Sequence, residues 1–247
     1  MNQSNKSKYL FYTFCLFFLT ISTSSFAAAY WIDVKGSGKV NEKVKIELCY
    51  GSMDEFGIRH RDTGKELDLA GDFQIRIIDS KGSEQILVLT KQNDCWLGIF
   101  IPSSEGSYRI IGINDKHPVV DRSATGGKNV LPIDYISAVY NVDQITQIVE
   151  KPVQMLDLIL NKEGKKVTLK AFFQNKPSKE GTKIRIFNPE NWEKEVILNK
   201  NGEAVFYTTM KGLYIIRQDY NEPKSGVYKD VNYSAIRHRC NYFLLEN

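Results

Sequence analysis

The chain has 247 residues, with 33 basic and 29 acidic side chains and a formal charge of +4. Lys6 and Lys8 sit in a leader-like N-terminus, so the remainder carries about +2, too near neutrality to imply nucleic acid or an anionic membrane as partner. No metal-cluster cysteine spacing occurs, and Gly126-Gly127-Lys128 lacks the glycine spacing and the following Ser or Thr of a phosphate-cradling loop.

Lys6 and Lys8 precede the apolar run Tyr9 to Ile21, and Ser25, Ala27, Ala28 and Ala29 follow. That order predicts a secretory signal peptide over residues 1–29, cleaved after Ala27 or Ala29. The apolar run is shorter than the ~20 residues of a membrane span and is followed by Ser and Thr rather than a basic stop, so the mature chain is expected to have no integral span. Cys15 leaves with the leader. The rest is long enough for two domains of about 100 residues each.

The first domain is placed at residues 30–138. Tyr30 to Val34 reads as an edge-like strand, and Val44, Ile46, Leu48 and Tyr50 share one face of the next. Residues 53–69 break the alternation and read as a long polar loop, where functional residues are commonly placed. Phe73, Ile75 and Ile77 line a third strand, Asp79-Ser80-Lys81-Gly82 is a hairpin turn, and Ile86 to Leu89 returns. Another hairpin runs from Cys95 to Ile101 and from Ser107 to Ile113. Residues 133–151 have mixed spacing, compatible with a strand and connector or with a short helix. Residues 139–153 are taken as the linker, with Pro152 near its end.

Residues 154–247 form the second expected domain. Strands centred on Val167 to Phe172, Ile184 to Ile186, Ala204 to Phe206 and Leu213 to Ile216 alternate between Asn-, Pro- and Gly-rich turns. In the last strand Ile236, His238, Cys240, Tyr242 and Leu244 share one face, and Arg237, Arg239, Asn241 and Phe243 the other. No long stretches of helical period separate the strands. The expected fold is therefore all-β, two antiparallel β-sandwiches after a cleaved leader.

The mature start Tyr30-Trp31-Ile32-Asp33-Val34, the segment Gly212 to Arg217 with Asp219-Tyr220, and the terminal Tyr233 to Arg239 resemble the exported β-protein family DUF4198. Some members carry labels for the periplasmic or substrate-specific part of nickel or cobalt uptake. The second domain also resembles Ig-like and transthyretin-like modules. The resemblance implies a non-catalytic periplasmic or cell-surface accessory protein, a transition metal such as nickel or cobalt, and a membrane transporter or cell-envelope partner. Many relatives begin the mature protein with a small residue and histidine, whereas this chain has Ala29-Tyr30, which weakens the inherited metal role.

Three histidines, His60, His117 and His238, are the candidate metal ligands, although none has a close histidine partner in sequence. His238 also reads as a partly buried histidine bonded to a neighbour. Arg59, Arg61, Arg237 and Arg239 flank two of the histidines and are candidate anion or haem-carboxylate ligands, because guanidinium groups bind carboxylates bidentately. Trp192, Tyr220 and Tyr228 are candidates for a peptide or sugar surface, supporting a cell-surface scaffold, adhesion or carbohydrate-binding alternative. Among the mature cysteines Cys49 and Cys95 are the expected disulfide, since both lie in the first domain; Cys240 is left over. His238 and Cys240, two apart on a strand, are too far separated for a productive catalytic bond, and no serine elbow or paired acids suggest an enzyme.

Overall fold

The computed structural model describes residues 29–54, 56–144 and 151–246; the expected leader lies outside them except for Ala29. The first half contributes β1 (Ala29–Lys35), β2 (Val44–Met53), β3 (Arg59–Arg61), α1 (Lys65–Ala70), β4 (Gln74–Ile78), β5 (Glu84–Leu87), β6 (Thr90–Lys91), β7 (Trp96–Phe100), β8 (Gly106–Asn114) and β9 (Val130–Val142). The second half contributes β10 (Leu156–Glu163), β11 (Lys166–Phe173), β12 (Lys176–Pro177), β13 (Lys183–Phe187), β14 (Glu193–Ile197), β15 (Glu203–Tyr207), β16 (Gly212–Glu222), β17 (Gly226–Tyr228), β18 (Val231–Tyr233) and β19 (Ala235–Glu246). No helix among the described residues is long and apolar enough to cross a membrane.

The turns form where short polar side chains can replace backbone partners. Asp79 Oδ1 accepts from the Lys81 and Ser83 amides, Asn188 Oδ1 from Glu190 and Trp192, and Asn199 Oδ1 from Asn201 and Glu203. The first two close the strand pairs β4–β5 and β13–β14, and the third carries the chain from β14 in one sheet to β15 in another.

The strands assemble into a central sheet of eight, in the order β14-β13-β16-β19-β9-β8-β4-β5. A five-stranded sheet, β1-β2-β7-β6 with β3 on β2, covers one face of the central sheet. A four-stranded sheet, β10-β11-β12 with β15 on β11, covers the other face. Because successive side chains in a strand point to opposite faces, one strand feeds both cores. On β9, Ile136 and Ala138 enter the first core and Tyr135 the second; on β16, Ile215 enters the first and Tyr214 and Ile216 the second. Two sandwiches thus share a single middle layer.

All-β architecture is as expected from the alternation, but three details differ. Residues 130–142 are one continuous strand, so the expected boundary at 138 falls inside β9 rather than in a linker. The halves join through β9 and β19, which pair in parallel, Asp134 opposite Arg239 and Tyr135 opposite Cys240. The segment read as a polar loop contains β3 and α1, held because Leu67 and Ala70 are buried. Gly71 closes α1 directly against the Trp96 ring, where an added Cβ would come within 2.2 Å of the indole.

A buried ion pair ties β8 to β10. Arg109 Nη2 donates to Asp157 Oδ1 and Oδ2 at 3.0 and 3.1 Å, Nη1 donates to the Lys151 carbonyl, and the Val153 amide donates to Asp157 Oδ2. Both side chains are almost wholly out of solvent. Their mutual bonding is what makes that burial tolerable.

Candidate functional site: an arginine-lined cavity

The candidate site lies on the face of the central sheet beside the edge of the five-stranded sheet, where β1 begins. Register places its charges. Arg217 on β16 stands opposite Arg185 on β13 and Asn241 on β19; Asp219 stands opposite Arg239; Pro132 and Asp134 on β9 stand opposite Arg237 and Arg239. Residues directly opposite in a ladder share a face, so these groups form one polar shelf. A cavity of about 290 Å³ opens over it, walled across from the arginines by Tyr30, Tyr50, Leu69 and the 117–120 loop.

The charges on the shelf are unevenly partnered. Asp219 is gripped from two sides, by Arg185 Nη2 at 2.7 Å and Arg239 Nε at 2.8 Å. Burial alone would raise the Asp219 carboxyl, but the two guanidiniums outweigh it and hold the group below its usual range. Asp134 sits 3.1 Å from His117 Nε2, misaligned for a hydrogen bond, and 3.9 Å from Arg237 Nη2. Arg237 Nε is buried without a hydrogen-bond partner. Arg217 donates to Asn241 Oδ1 at 2.8 Å and lies over the Phe187 ring, with no carboxylate within 4.0 Å among the described residues.

Burial, with Arg239 and Arg185 close by, pulls the Arg217 guanidinium down to about 10. Burial, then Arg239, also pulls Arg237 down. Both remain charged near neutrality, at a cost that an incoming anion would relieve.

The three histidines do not converge. His60 is exposed on β3 and bonds Asp54 Oδ2 at 2.7 Å. His117 lies between the Tyr30 and Phe73 rings on the cavity side. His238 is buried on the opposite face of the central sheet, bonded to the Tyr135 hydroxyl and to Glu222 Oε2, each at 3.1 Å. Each imidazole has its own carboxylate, and none belongs to a cluster of three or more possible metal ligands among the described residues.

The four arginines also separate. Arg237 and Arg239 belong to the shelf. Arg59 lies over the Trp31 ring, and Arg61 is saturated by Asp33 at 2.7 Å, Glu47 at 2.6 Å and Asp94 at 3.5 Å. Asp33, Glu47 and Cys49 present ligand atoms within 4.8 Å of one another. Arg61 and Lys35 already pair with those two acids, and burial pushes the Cys49 thiol upward, away from the thiolate a metal needs.

Cys49 and Cys95 fall opposite each other by extension of the Leu48–Trp96 pairing, yet both are free thiols here, so the expected disulfide is not formed in this structure. Trp192 is strongly exposed in the β13–β14 turn, Tyr220 packs on Phe173 at 4.1 Å, and Tyr228 lies beneath Lys229 in the β17–β18 hairpin. They sit on three separate elements.

Sequence reasoning missed Arg217, Asp134 and Tyr30 as site residues. Only Arg237 and Arg239 carried a local signal, their spacing of two on a strand; the others join through register between distant segments.

Fold and site together define an all-β protein of shared-sheet sandwiches with a cationic cavity at the junction. No known family profile and no characterised protein matches the chain. Among solved structures it is similar to trypsin-activated alpha-2-macroglobulin from Escherichia coli, at 11% identity and TM-score 0.29 over 87% of this chain and 15% of that one. It is also similar to dimeric latent PorU from Porphyromonas gingivalis, at 12% identity and TM-score 0.23 over 89% of this chain and 20% of that one. Both likenesses are too slight to carry an argument about fold or function, and the chain spans a fifth or less of either protein.

Proposed function

We propose that the chain is an exported, non-catalytic binding protein of the periplasm or cell surface, whose ligand presents an anionic group to the arginine-lined cavity. The observation that carries this is the imbalance on the shelf: Arg217 and Arg237 are half-buried without a closely bonded carboxylate, while Asp219 is used up by Arg185 and Arg239. A buried charge lacking a partner is costly to keep, and in a cavity wide enough for a small molecule it is a site for the opposite charge.

The same geometry redirects the metal role. A guanidinium-lined cavity repels a bare cation, so a part in metal uptake would run through the carboxylates of an anionic metal complex rather than through His60, His117 or His238. Calorimetric titration of the protein with a panel of carboxylates, phosphate and sulfate tests the proposal. Saturable one-to-one binding should be lost in Arg237→Gln and Arg217→Gln and kept in Arg61→Gln. Binding of no member of the panel, or binding indifferent to both cavity arginines, would refute it.

A second function, adhesion to a surface partner, is favoured by one observation. Phe56, Ile58 and Trp192 are exposed on two loops that touch at Gly57 and Glu190. Polymer or partner binding lost in Trp192→Ala, with the anion site intact, would support it.

A further inference from the structure

Resting on the anion-site reading, we infer that the cavity selects a monocarboxylate carrying an aromatic or branched apolar body, rather than a free inorganic oxyanion. The two sides of the cavity differ in chemistry. The sheet side offers Arg217 and Arg237; the facing side offers the Tyr30 and Tyr50 rings, Leu69 and Val120, together with the exposed Glu66. Tyr30 spends its hydroxyl on the Glu66 carbonyl at 3.1 Å, so its ring is what remains for a ligand. The two tyrosine rings lie 5.0 Å apart and tilted, packed on each other, so together they form one aromatic wall.

Charge sets the valence. Arg185 meets the charge of Asp219, and the cavity itself is lined by three guanidiniums, Arg217, Arg237 and Arg239, and by two carboxylates, Glu66 and Asp134, the latter 3.9 Å from Arg237. Three guanidiniums against two carboxylates leave roughly one unit of positive charge to be met. The two carboxylates would repel the second charge of a phosphate or sulfate dianion. A carboxylate supplies one charge and two coplanar oxygens, which is the geometry a guanidinium fork binds.

Size agrees: about 290 Å³ is at the lower end for small-molecule sites and suits one side chain with its carboxylate. Such a group could be a free acid or the C-terminal residue of a peptide, and both present the same chemistry.

The test is competition calorimetry on the whole protein with 3-phenylpropionate, its amide, propionate, phosphate, and a tetrapeptide ending in phenylalanine with free or amidated C-terminus. 3-Phenylpropionate should bind at least about tenfold more tightly than propionate or phosphate, and its amide should lose about tenfold or more. Dependence of the tetrapeptide on its free C-terminus, with affinity above the small acid, would assign a peptide source; the reverse order would assign a free acid. Arg237→Gln should abolish the preference for acid over amide. Val120→Asp, an exposed rim change that spares the Val120–Val130 backbone bridge, should weaken the acid even if Arg237→Gln folds poorly.

Phosphate binding as tightly as 3-phenylpropionate would overturn this inference while leaving the anion site standing. Equal binding of acid and amide would overturn it as well. No binding of any anion would overturn both.

Discussion

Arg217 carries a charge into a half-buried position where only an amide oxygen and an aromatic face receive it. Replacing such a group with an apolar side chain of similar length removes a desolvation cost rather than a stabilising pair. Arg217→Met is therefore expected to leave thermal stability unchanged or raised while eliminating anion binding; a clear fall in the unfolding midpoint would show the guanidinium to be structural. Asp219 behaves oppositely. Its folded pKa is depressed, so its contribution is present above the unfolded value near ~3.9 and disappears as pH falls through the lower folded value. Asp219→Asn should cost about 1–3 kcal/mol near neutrality, and the gap from the parent should close below about pH 4. Urea midpoints of both proteins across that range check the sign: a gap independent of pH would mean that Asp219 is not acting through its charge. Burial raises the thiol pKa values of Cys49, Cys95 and Cys240, which keeps all three protonated at mild pH. A thiol reagent at pH 8 should thus label the folded protein slowly and three mature-chain cysteines rapidly in denaturant; one rapid thiol in denaturant would reveal a Cys49–Cys95 disulfide.

Among the elements, β19 is the one whose role was most legible in the sequence. Its alternation put His238, Cys240 and Tyr242 on one face and Arg237, Arg239 and Asn241 on the other, and the structure keeps that division because each face meets a different layer. What could not be read was the company β19 keeps. The parallel partner β9 lies about a hundred positions upstream, and a strand of mixed spacing such as residues 130–142 looks ambiguous because it feeds two cores at once. The same holds for the cavity. The Arg237-His238-Arg239 and Arg59-His60-Arg61 tripeptides looked equivalent by composition, yet Arg61 is bonded closely by acids from β1 and β2, while Arg237 has only Asp134 at 3.9 Å and a buried Nε without a hydrogen-bond partner. Only pairing registers distinguish them. The β8–β10 tie is a further case: Arg109 and Asp157 are unremarkable in sequence, and both are buried. Asp157→Ala strands a buried guanidinium and should cost about 3–5 kcal/mol, read as a shift in chemical-denaturation free energy. A loss under about 1 kcal/mol would show that water reaches Arg109.

At the scale of the whole molecule, the two sandwiches are joined by backbone pairing as well as by packing. Strands β9 and β19 are neighbours in one sheet, Phe243 from the second half lies in the first core, and Tyr135 from the first half lies in the second. Separating the halves would expose a sheet edge and open both cores, so neither half has a complete core alone. The cavity depends on this junction, since Tyr30 and His117 come from the first half and Arg217 and Arg237 from the second. Calorimetry should show a single cooperative unfolding transition with both halves melting together; two resolved transitions would show that the shared sheet does not couple them. The decisive measurement is an arginine side-chain Nε–Hε NMR titration with 3-phenylpropionate. The Arg217 and Arg237 resonances should move together and saturate at one equivalent, with Arg59 and Arg61 unmoved. Saturating binding that leaves Arg217 and Arg237 unshifted, or no binding at all, would contradict an anion site at the junction of the two sandwiches.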